Sequence, residues 1–296
     1  MKAVLDIGIL GVLVLMMGTV GMELEARHFR TVAQRTGVLL LTLAAQALIL
    51  PALGFGLSRV LALPPHIRAG ILLVAACPVG DIANLYVVLA RANVALSVAV
   101  NTLSILFSPA TMALAFEGYE RLLETPFVFA VPTPTLLLRL ILVLLLPLLA
   151  GMAIRRLRPE LVERHGRTAH RVVLAGIASL VVYVMVSQRE RLAIEWRETA
   201  VAAAAFVALS LLVGLAFGWL LRLPRGEGVT VGIAFAVRHV ALASAIAVTL
   251  LNRIEYAVFA VVYFLVEVPL LLGAVALYRI CWAPAVPRTE LPATPR

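Results

Sequence analysis

The sequence predicts an all-α, polytopic membrane protein, and three observations lead to this fold class. Of the 296 residues, 62% are hydrophobic and 14% are charged, which is more apolar surface than one soluble core could bury. The apolar residues form runs of about 20, the length that a helix needs to cross a bilayer. The weaker alternating pattern of an outer-membrane barrel is not visible.

Apolar runs separated by polar breaks predict nine transmembrane helices within a single membrane domain, residues 1–285. They cover residues 3–22, 36–58, 66–91, 93–116, 134–154, 170–188, 199–221, 227–251 and 254–280. The first run is interrupted by Asp6 and has no A-x-A cleavage site before Glu23, so we interpret it as a helix rather than a signal peptide. Residues 286–296 are polar and proline-rich, which predicts a disordered tail.

Two of the predicted spans, the third and the eighth, contain polar or helix-breaking residues in their middle. The third contains PVGDIAN, Pro78–Asn84, and the eighth contains AVRH, Ala236–His239. Irregular backbone at membrane depth is tolerated only where it is buried in protein or lines a cavity. These two spans are therefore predicted to be broken helices.

An internal repeat precedes both breaks. GFGLSRVLALPP, which starts at Gly54, returns as GLAFGWLLRLPR, which starts at Gly214. Five predicted spans separate the copies, so the second copy is inverted relative to the membrane. Inverted repeats with discontinuous helices are typical of secondary transporters, although a chance similarity of glycines, leucines and prolines is the alternative.

The basic residues predict the orientation in the membrane. The formal charge is +9, but the basic residues lie between apolar runs instead of along one soluble face, which argues against a nucleic-acid partner. Fifteen lie on one predicted side and eight on the other, with Arg139 and Arg238 inside spans. Because positive loops stay in the cytoplasm, we expect the N-terminus outside and the C-terminus inside a plasma or bacterial inner membrane. Cys77 and Cys281 support neither a disulfide framework nor a metal site.

The stretch CPVGDIANLYVVLARANVALSVAVNTLSILFSP, Cys77–Pro109, resembles the fourth and fifth helices of the bile acid:sodium symporter family. QALILP, Gln46–Pro51, and LPPHIRAGILLVAACP, Leu63–Pro78, resemble the sequence leading into them. The resemblance implies two inverted five-helix repeats, here without the first helix. It also implies a panel domain (1–22 and 134–188) and a core domain (36–116 and 199–280), with the two broken helices crossing in the core.

The resemblance also implies sodium ligands, and here the chain departs from the family. Asn84, Ser97 and Asn101 match positions of a first sodium site, in which Ala83 offers no side-chain oxygen, and Gln46 matches a second site. Sodium-coupled relatives have a glutamate and a glutamine where this chain has Ala234 and Arg238. We therefore expect at most one weakened sodium site, and we predict no cofactor apart from sodium as a coupling ion, with a proton-linked or uncoupled carrier as the alternatives.

Arg238, His239, Asp81 and Asn84 are the predicted substrate-binding residues. Arg238 has three interpretations: it binds a carboxylate or sulfate of the substrate, it meets backbone carbonyls and Gln46, or it pairs with Asp81. The half-helix that begins near His239 would assist anion binding, and His239 itself could serve a proton-linked step. Glu267 is a weaker candidate that either reaches a cavity or snorkels to the interface.

These observations predict a secondary active transporter of organic anions that works by alternating access. The cargo class stays open between a bile-acid-like compound, a steroid sulfate and a small carboxylate. Symport with sodium, a sodium-independent or proton-linked carrier or exporter of related fold, and a non-transporting sensor are the alternatives. An enzyme is not expected, and no catalytic residue is predicted, because HExxH and paired mid-span aspartates are missing. The predicted partners are the substrate and the lipid bilayer, and the oligomeric state stays open.

Overall fold

The computed structural model describes residues 2–24, 36–123 and 133–281, and every regular element in these ranges is helical. The α-helices are α1 (Lys2–Glu23), α2 (Thr36–Val60), α3 (Pro65–Ala76), α4 (Ile82–Leu89), α5 (Val94–Leu123), α6 (Thr133–Leu140), α7 (Leu146–Leu157), α8 (Pro159–Ser187), α9 (Arg189–Leu220), α10 (Arg225–Ala236), α11 (Val240–Ala245) and α12 (Ala257–Cys281). A π-helical turn, Ile141–Leu145, joins α6 to α7, and another, Ile246–Leu250, extends α11. The predicted tail, 286–296, lies outside the described residues.

Six helical segments are long and apolar enough to cross a membrane. They are Thr36–Val60, Val94–Arg121, Pro134–Leu157, Pro159–Ser187, Arg189–Leu220 and Ile254–Cys281. Three further apolar helices are shorter, namely Ile7–Glu23, Pro65–Ala76 and Val240–Leu250. The all-helical membrane architecture is therefore confirmed. The count of nine crossings stays a prediction, because it requires that α1 and each of the two broken helices also span the membrane.

Both predicted helix breaks are present. Pro78 has no backbone N–H and disfavours helical backbone in the residue before it, so α3 ends at Ala76 and Cys77 is extended with ψ of 154°. No proline follows α10, yet Val237 is also extended, with φ of −96° and ψ of 115°. The first break is thus encoded locally, while the second depends on a contact with the first.

The backbone repeats its conformation at the offset seen in the sequence. Four residues other than glycine have positive φ in the described ranges: Ala62 (48°), Arg91 (53°), Arg222 (53°) and Asn252 (54°). Ala62 and Arg222 are separated by the same interval as Gly54 and Gly214, and the interval between Arg91 and Asn252 is longer by a single position. Such residues are uncommon. One pair at the repeat offset and a second pair within one residue of it are compatible with a duplicated structural unit, which stays a prediction.

The closest helix packing in the described ranges forms three groups. α1 packs on α7 and α8, while α9 packs on α10 and α12, and α2 packs on α3 and α5. α1 and α7 approach closely at glycines, because a Cβ on Gly151 would lie 2.1 Å from the Gly18 carbonyl oxygen. This grouping is compatible with the predicted panel and core domains, which stay a prediction.

Candidate functional site

The two helix breaks lie antiparallel and contact each other through their backbones. Val79 and Arg238 form an isolated antiparallel bridge. The Gly80 N–H donates to the Val237 carbonyl at 3.3 Å, and the His239 N–H donates to the Pro78 carbonyl at 3.0 Å. Backbone N–H and C=O groups that lose their helical partners at the breaks thus form hydrogen bonds with each other. In a membrane protein, such groups are costly when they have no hydrogen-bond partner. The predicted crossing of the broken helices is present.

Gly80 allows this close approach. A Cβ at this position would lie 2.8 Å from the Arg238 carbonyl oxygen, closer than real Cβ atoms come to backbone. α5 supports the crossing from one side, since the Ser104 hydroxyl accepts from the Val79 N–H at 2.8 Å. The crossing is therefore held by backbone bonds, one glycine and one serine.

A polar cluster lies on one side of the crossing and consists of Asp81, Asn84, Ser97 and Asn101; we call it the first polar cluster. The Ser97 hydroxyl donates to Asn84 Oδ1 at 2.7 Å, and Asn101 Nδ2 donates to Asp81 Oδ1 at 2.8 Å. Asn101 is buried, and its Oδ1 has no hydrogen-bond partner among the described residues. Asn84, Ser97 and Asn101, predicted from the family resemblance, therefore lie together, and Asp81 joins them.

The residue that lies next to Asp81 is His239. His239 Nε2 lies 3.6 Å from Asp81 Oδ2, while His239 Nδ1 accepts from the Leu242 N–H at 3.4 Å and caps α11. A ring whose Nδ1 accepts a hydrogen bond carries its proton on Nε2, which faces Asp81. The Asp81–Arg238 pair offered as one alternative is wrong for this structure. The Asp81 side chain is 44% exposed, so this side of the crossing is open.

Arg238 lies on the opposite side of the crossing and is buried, with 5% of the residue exposed. Its Nη2 donates to the Cys77 carbonyl oxygen. Its Nε and Nη1, like both amide atoms of Gln46, have no hydrogen-bond partner among the described residues. Arg238 and Gln46 line one small cavity of about 10 Å³, which is the space of about one water molecule. The predicted contact with a carbonyl is present, and Gln46 is adjacent across the cavity.

Glu267 is a buried carboxylate that the sequence had indicated only weakly. It lies in the middle of α12, is 0% exposed, and neither carboxylate oxygen has a hydrogen-bond partner in the described ranges. The snorkelling alternative is therefore wrong. Its charge and that of Arg238 lie within electrostatic reach of each other. The available signal was a lone carboxylate in an apolar helix, a feature that usually marks function in membranes.

A larger cavity of about 580 Å³ lies between α1, α8 and α11. Leu13 and Met16 line it from α1, Leu180 and Tyr183 from α8, and Ala241 from α11. Its walls are almost entirely apolar, and Ala241 closely follows His239 in the chain. The cavity thus joins the first helix group to the second break.

The comparison with protein families agrees with this architecture. The family model of the Sodium Bile acid symporter family matches residues 10–196. The chain belongs to this family. The matched range includes Gln46, the first break and the first polar cluster, but it ends before Arg238, His239 and Glu267. The departures at the second break therefore lie beyond the part of the chain that the family model matches.

Two relatives extend the comparison to named membrane proteins. The "Uncharacterized sodium-dependent transporter YocS" of Bacillus subtilis is 30% identical over 172 residues, which is 58% of this chain and 52% of that protein. The "Probable sodium/metabolite cotransporter BASS1, chloroplastic" of Arabidopsis thaliana is 26% identical over 235 residues, 78% of this chain and 56% of that protein. The chain spans about half the length of these relatives. Both are named as transporters, which agrees with the prediction that the chain is not an enzyme.

Proposed function

We propose that this protein is a secondary active transporter that moves an organic anion across a membrane by alternating access. The observation that carries the proposal is the antiparallel contact of the two helix breaks, with a polar cluster on one side and an apolar cavity beside it. Broken helices that meet at mid-depth are the usual site of ions and substrate in secondary transporters. The transporter names of both relatives support the same function.

One sodium ion is proposed to bind in the first polar cluster. Sodium is a hard cation that prefers oxygen ligands, and Asp81, Asn84, Ser97 and Asn101 all carry side-chain oxygens. The unpartnered Oδ1 of Asn101 is a free ligand in this cluster. Asp81 supplies the carboxylate that the chain does not have at Ala234. Asp81 is thereby assigned to the ion, although the sequence had indicated a substrate role for it. Asn84, which the sequence had indicated for both roles, is assigned to the ion as well.

A second sodium ion is not proposed, because Arg238 places a fixed positive charge where it would bind. Two unit charges 4 Å apart repel by roughly 4 kcal/mol at an effective dielectric constant of 20. The cavity beside Gln46 and Arg238, about 10 Å³, also leaves no space for a hydrated ion. Gln46 is therefore assigned to this fixed-charge site instead of to a sodium site.

The substrate is proposed to be an amphipathic anion, of the bile-acid or steroid-sulfate type. A cavity of about 580 Å³ with apolar walls fits a drug-sized apolar body better than it fits a small carboxylate. Among the predicted substrate-binding residues, His239 is closest in the chain to the cavity-lining Ala241. We assign it to the anionic group, to which its ring N–H can donate. Arg238 is buried behind the Cys77 carbonyl, so we assign it a long-range electrostatic role.

The proposed mechanism moves one helix group against the other. α1 with α6–α8 would form the panel and the remaining helices the core, with nine crossings in an inverted repeat and the N-terminus outside. The positive φ shared by Ala62 and Arg222, and by Arg91 and Asn252, supports the repeat. Opening and closing at the cavity would expose the crossing to each side in turn.

Uptake by proteoliposomes tests the function. Labelled taurocholate, estrone sulfate and pyruvate serve as probes, each with and without an inward sodium gradient. We expect saturable uptake of one of the two larger anions and stimulation by sodium. Absence of uptake and of counterflow for all three probes would contradict the proposal. Uptake that ignores sodium would favour the sodium-independent or proton-linked carrier, and saturable binding without counterflow would favour a sensor.

A further inference from the structure

We infer that Glu267 is a proton-binding site of the transport cycle and that the proton there replaces the second coupling ion. The inference rests on the proposed transport function and deepens it. It assigns a role to a residue that neither the resemblance nor the first polar cluster includes.

The burial of Glu267 is the first argument. The residue is 0% exposed and both carboxylate oxygens lack a hydrogen-bond partner in the described part of the chain. An ionised carboxylate without partners in an apolar interior is strongly disfavoured, and the neutral acid is the form that such a site accepts. A carboxyl group retained in these surroundings needs a role that uses its change of charge.

Arg238 is the second argument. Its guanidinium is within electrostatic reach of Glu267, and two of its nitrogens also lack partners among the described residues. The two groups are not in direct contact. When Glu267 is ionised, the two charges attract each other, and when it is protonated, the charge of Arg238 loses this attraction. The guanidinium thus makes both protonation states of Glu267 accessible.

The remaining neighbours of α12 add no competing charge. Tyr263, one turn before Glu267, donates to the Ala236 carbonyl, and Tyr86 of α4 is within electrostatic reach. α3, α8, α9 and α11 also pack against α12. Charged residues of α3, α8 and α9 are confined to their N-terminal parts, and α11 has none. The titration of Glu267 is therefore governed by Arg238 and by burial.

A proton fits this position better than sodium does. Sodium needs several oxygen ligands and is repelled by the guanidinium, whereas a proton needs one carboxylate oxygen. The step is a simple dissociation that occurs when the transport cycle exposes the site to one side of the membrane. The Glu267 carboxylic acid then releases a proton to water and becomes a carboxylate that the charge of Arg238 stabilises. On the other side of the membrane the reverse step takes up a proton. Arg238 contributes the fixed charge and Glu267 the mobile one.

Infrared spectroscopy of the purified protein tests the proton site without reference to transport. A pH titration of the parent protein is expected to show a protonated-carboxyl C=O band that Glu267→Gln removes. Glu255→Gln is the matched control, because Glu255 pairs with Arg253 at 3.5 Å near the start of the same segment. In Arg238→Gln, the carboxylate form of Glu267 loses the attraction of the guanidinium. The protonated-carboxyl band should therefore persist at pH values where the parent protein has lost it. A band unchanged in Glu267→Gln would overturn the inference.

Transport driven by a pH gradient tests the coupling. With equal sodium on both sides, one proton per anion predicts that the accumulation ratio rises about tenfold per unit of pH gradient. Glu267→Gln is expected to lose this response, while Glu255→Gln is expected to keep it. Equal responses of the parent and Glu267→Gln would overturn the inference. If no probe anion is transported, the proposed function fails, and the infrared result still decides the proton site.

Discussion

Replacing Gly80 with alanine tests whether the contact between the two helix breaks holds the site together. The new Cβ would lie 2.8 Å from the Arg238 carbonyl oxygen and 3.1 Å from its carbonyl carbon. Close carbon–oxygen contacts in proteins are about 3.3 Å or longer, so the breaks must separate by roughly 0.5 Å. The Gly80–Val237 hydrogen bond is already 3.3 Å long and would be lost.

The expected cost follows from these displacements. Overpacking at a tight contact costs about 2 kcal/mol and the lost hydrogen bond about 1 kcal/mol, so the free energy of unfolding should fall by about 3 kcal/mol. The melting temperature of the detergent-solubilised protein should drop by several degrees. Uptake in proteoliposomes should fall further than the folded fraction does, because His239 and Asp81 are attached to the two breaks.

Gly56→Ala is the matched control for this substitution. Gly56 lies in α2, and a Cβ there meets nothing within 4 Å. Alanine has the higher helix propensity, so this variant should be as stable as the parent or slightly more stable. If Gly80→Ala matches Gly56→Ala in both melting temperature and uptake, the breaks do not depend on their mutual contact, and the reasoning is wrong.

Three further substitutions test the proposed ion site, the cavity and the helix packing. Asp81→Asn removes the carboxylate at constant shape and should abolish sodium stimulation of uptake; retained stimulation would place sodium elsewhere. Ala241→Leu narrows the apolar cavity and should raise the KM for the transported amphipathic anion about tenfold, which a dose–response of uptake measures. Gly151→Ala forces a Cβ to 2.1 Å from the Gly18 carbonyl oxygen and should destabilise by roughly 3 kcal/mol in thermal melts. Gly11→Ala, which meets nothing within 4 Å, should melt like the parent, and equal melting of the two variants would argue against the α1–α7 contact.

The helices and breaks could be predicted because their causes are local. Apolar length determines a membrane helix, and Pro78 ends α3 whatever surrounds it. The first polar cluster could be predicted in part, because Asn84, Ser97 and Asn101 carry the family resemblance. Its members then meet across α4 and α5 in the structure. For these features a short stretch of sequence contains most of the physical information.

The partners of charged residues could not be predicted in the same way. Asp81 and Arg238 were reasonable partners by charge, yet they lie on opposite sides of the crossing, and the adjacent His239 faces Asp81. In the extended backbone of a break, successive side chains point in opposite directions. A shift of one residue between the two breaks would therefore bring Arg238 instead of His239 to face Asp81. Only the antiparallel contact between the breaks determines this register.

The sequence by itself determined that the chain is a helical membrane protein with two interrupted helices. The tertiary structure alone decided which side of the crossing each polar group occupies, that Glu267 is buried within electrostatic reach of Arg238, and that α1, α8 and α11 line a cavity. The physical reason is that membrane helices are apolar on nearly all faces. Their rotation and contacts are therefore set by packing with other helices and cannot be read from hydrophobic periodicity.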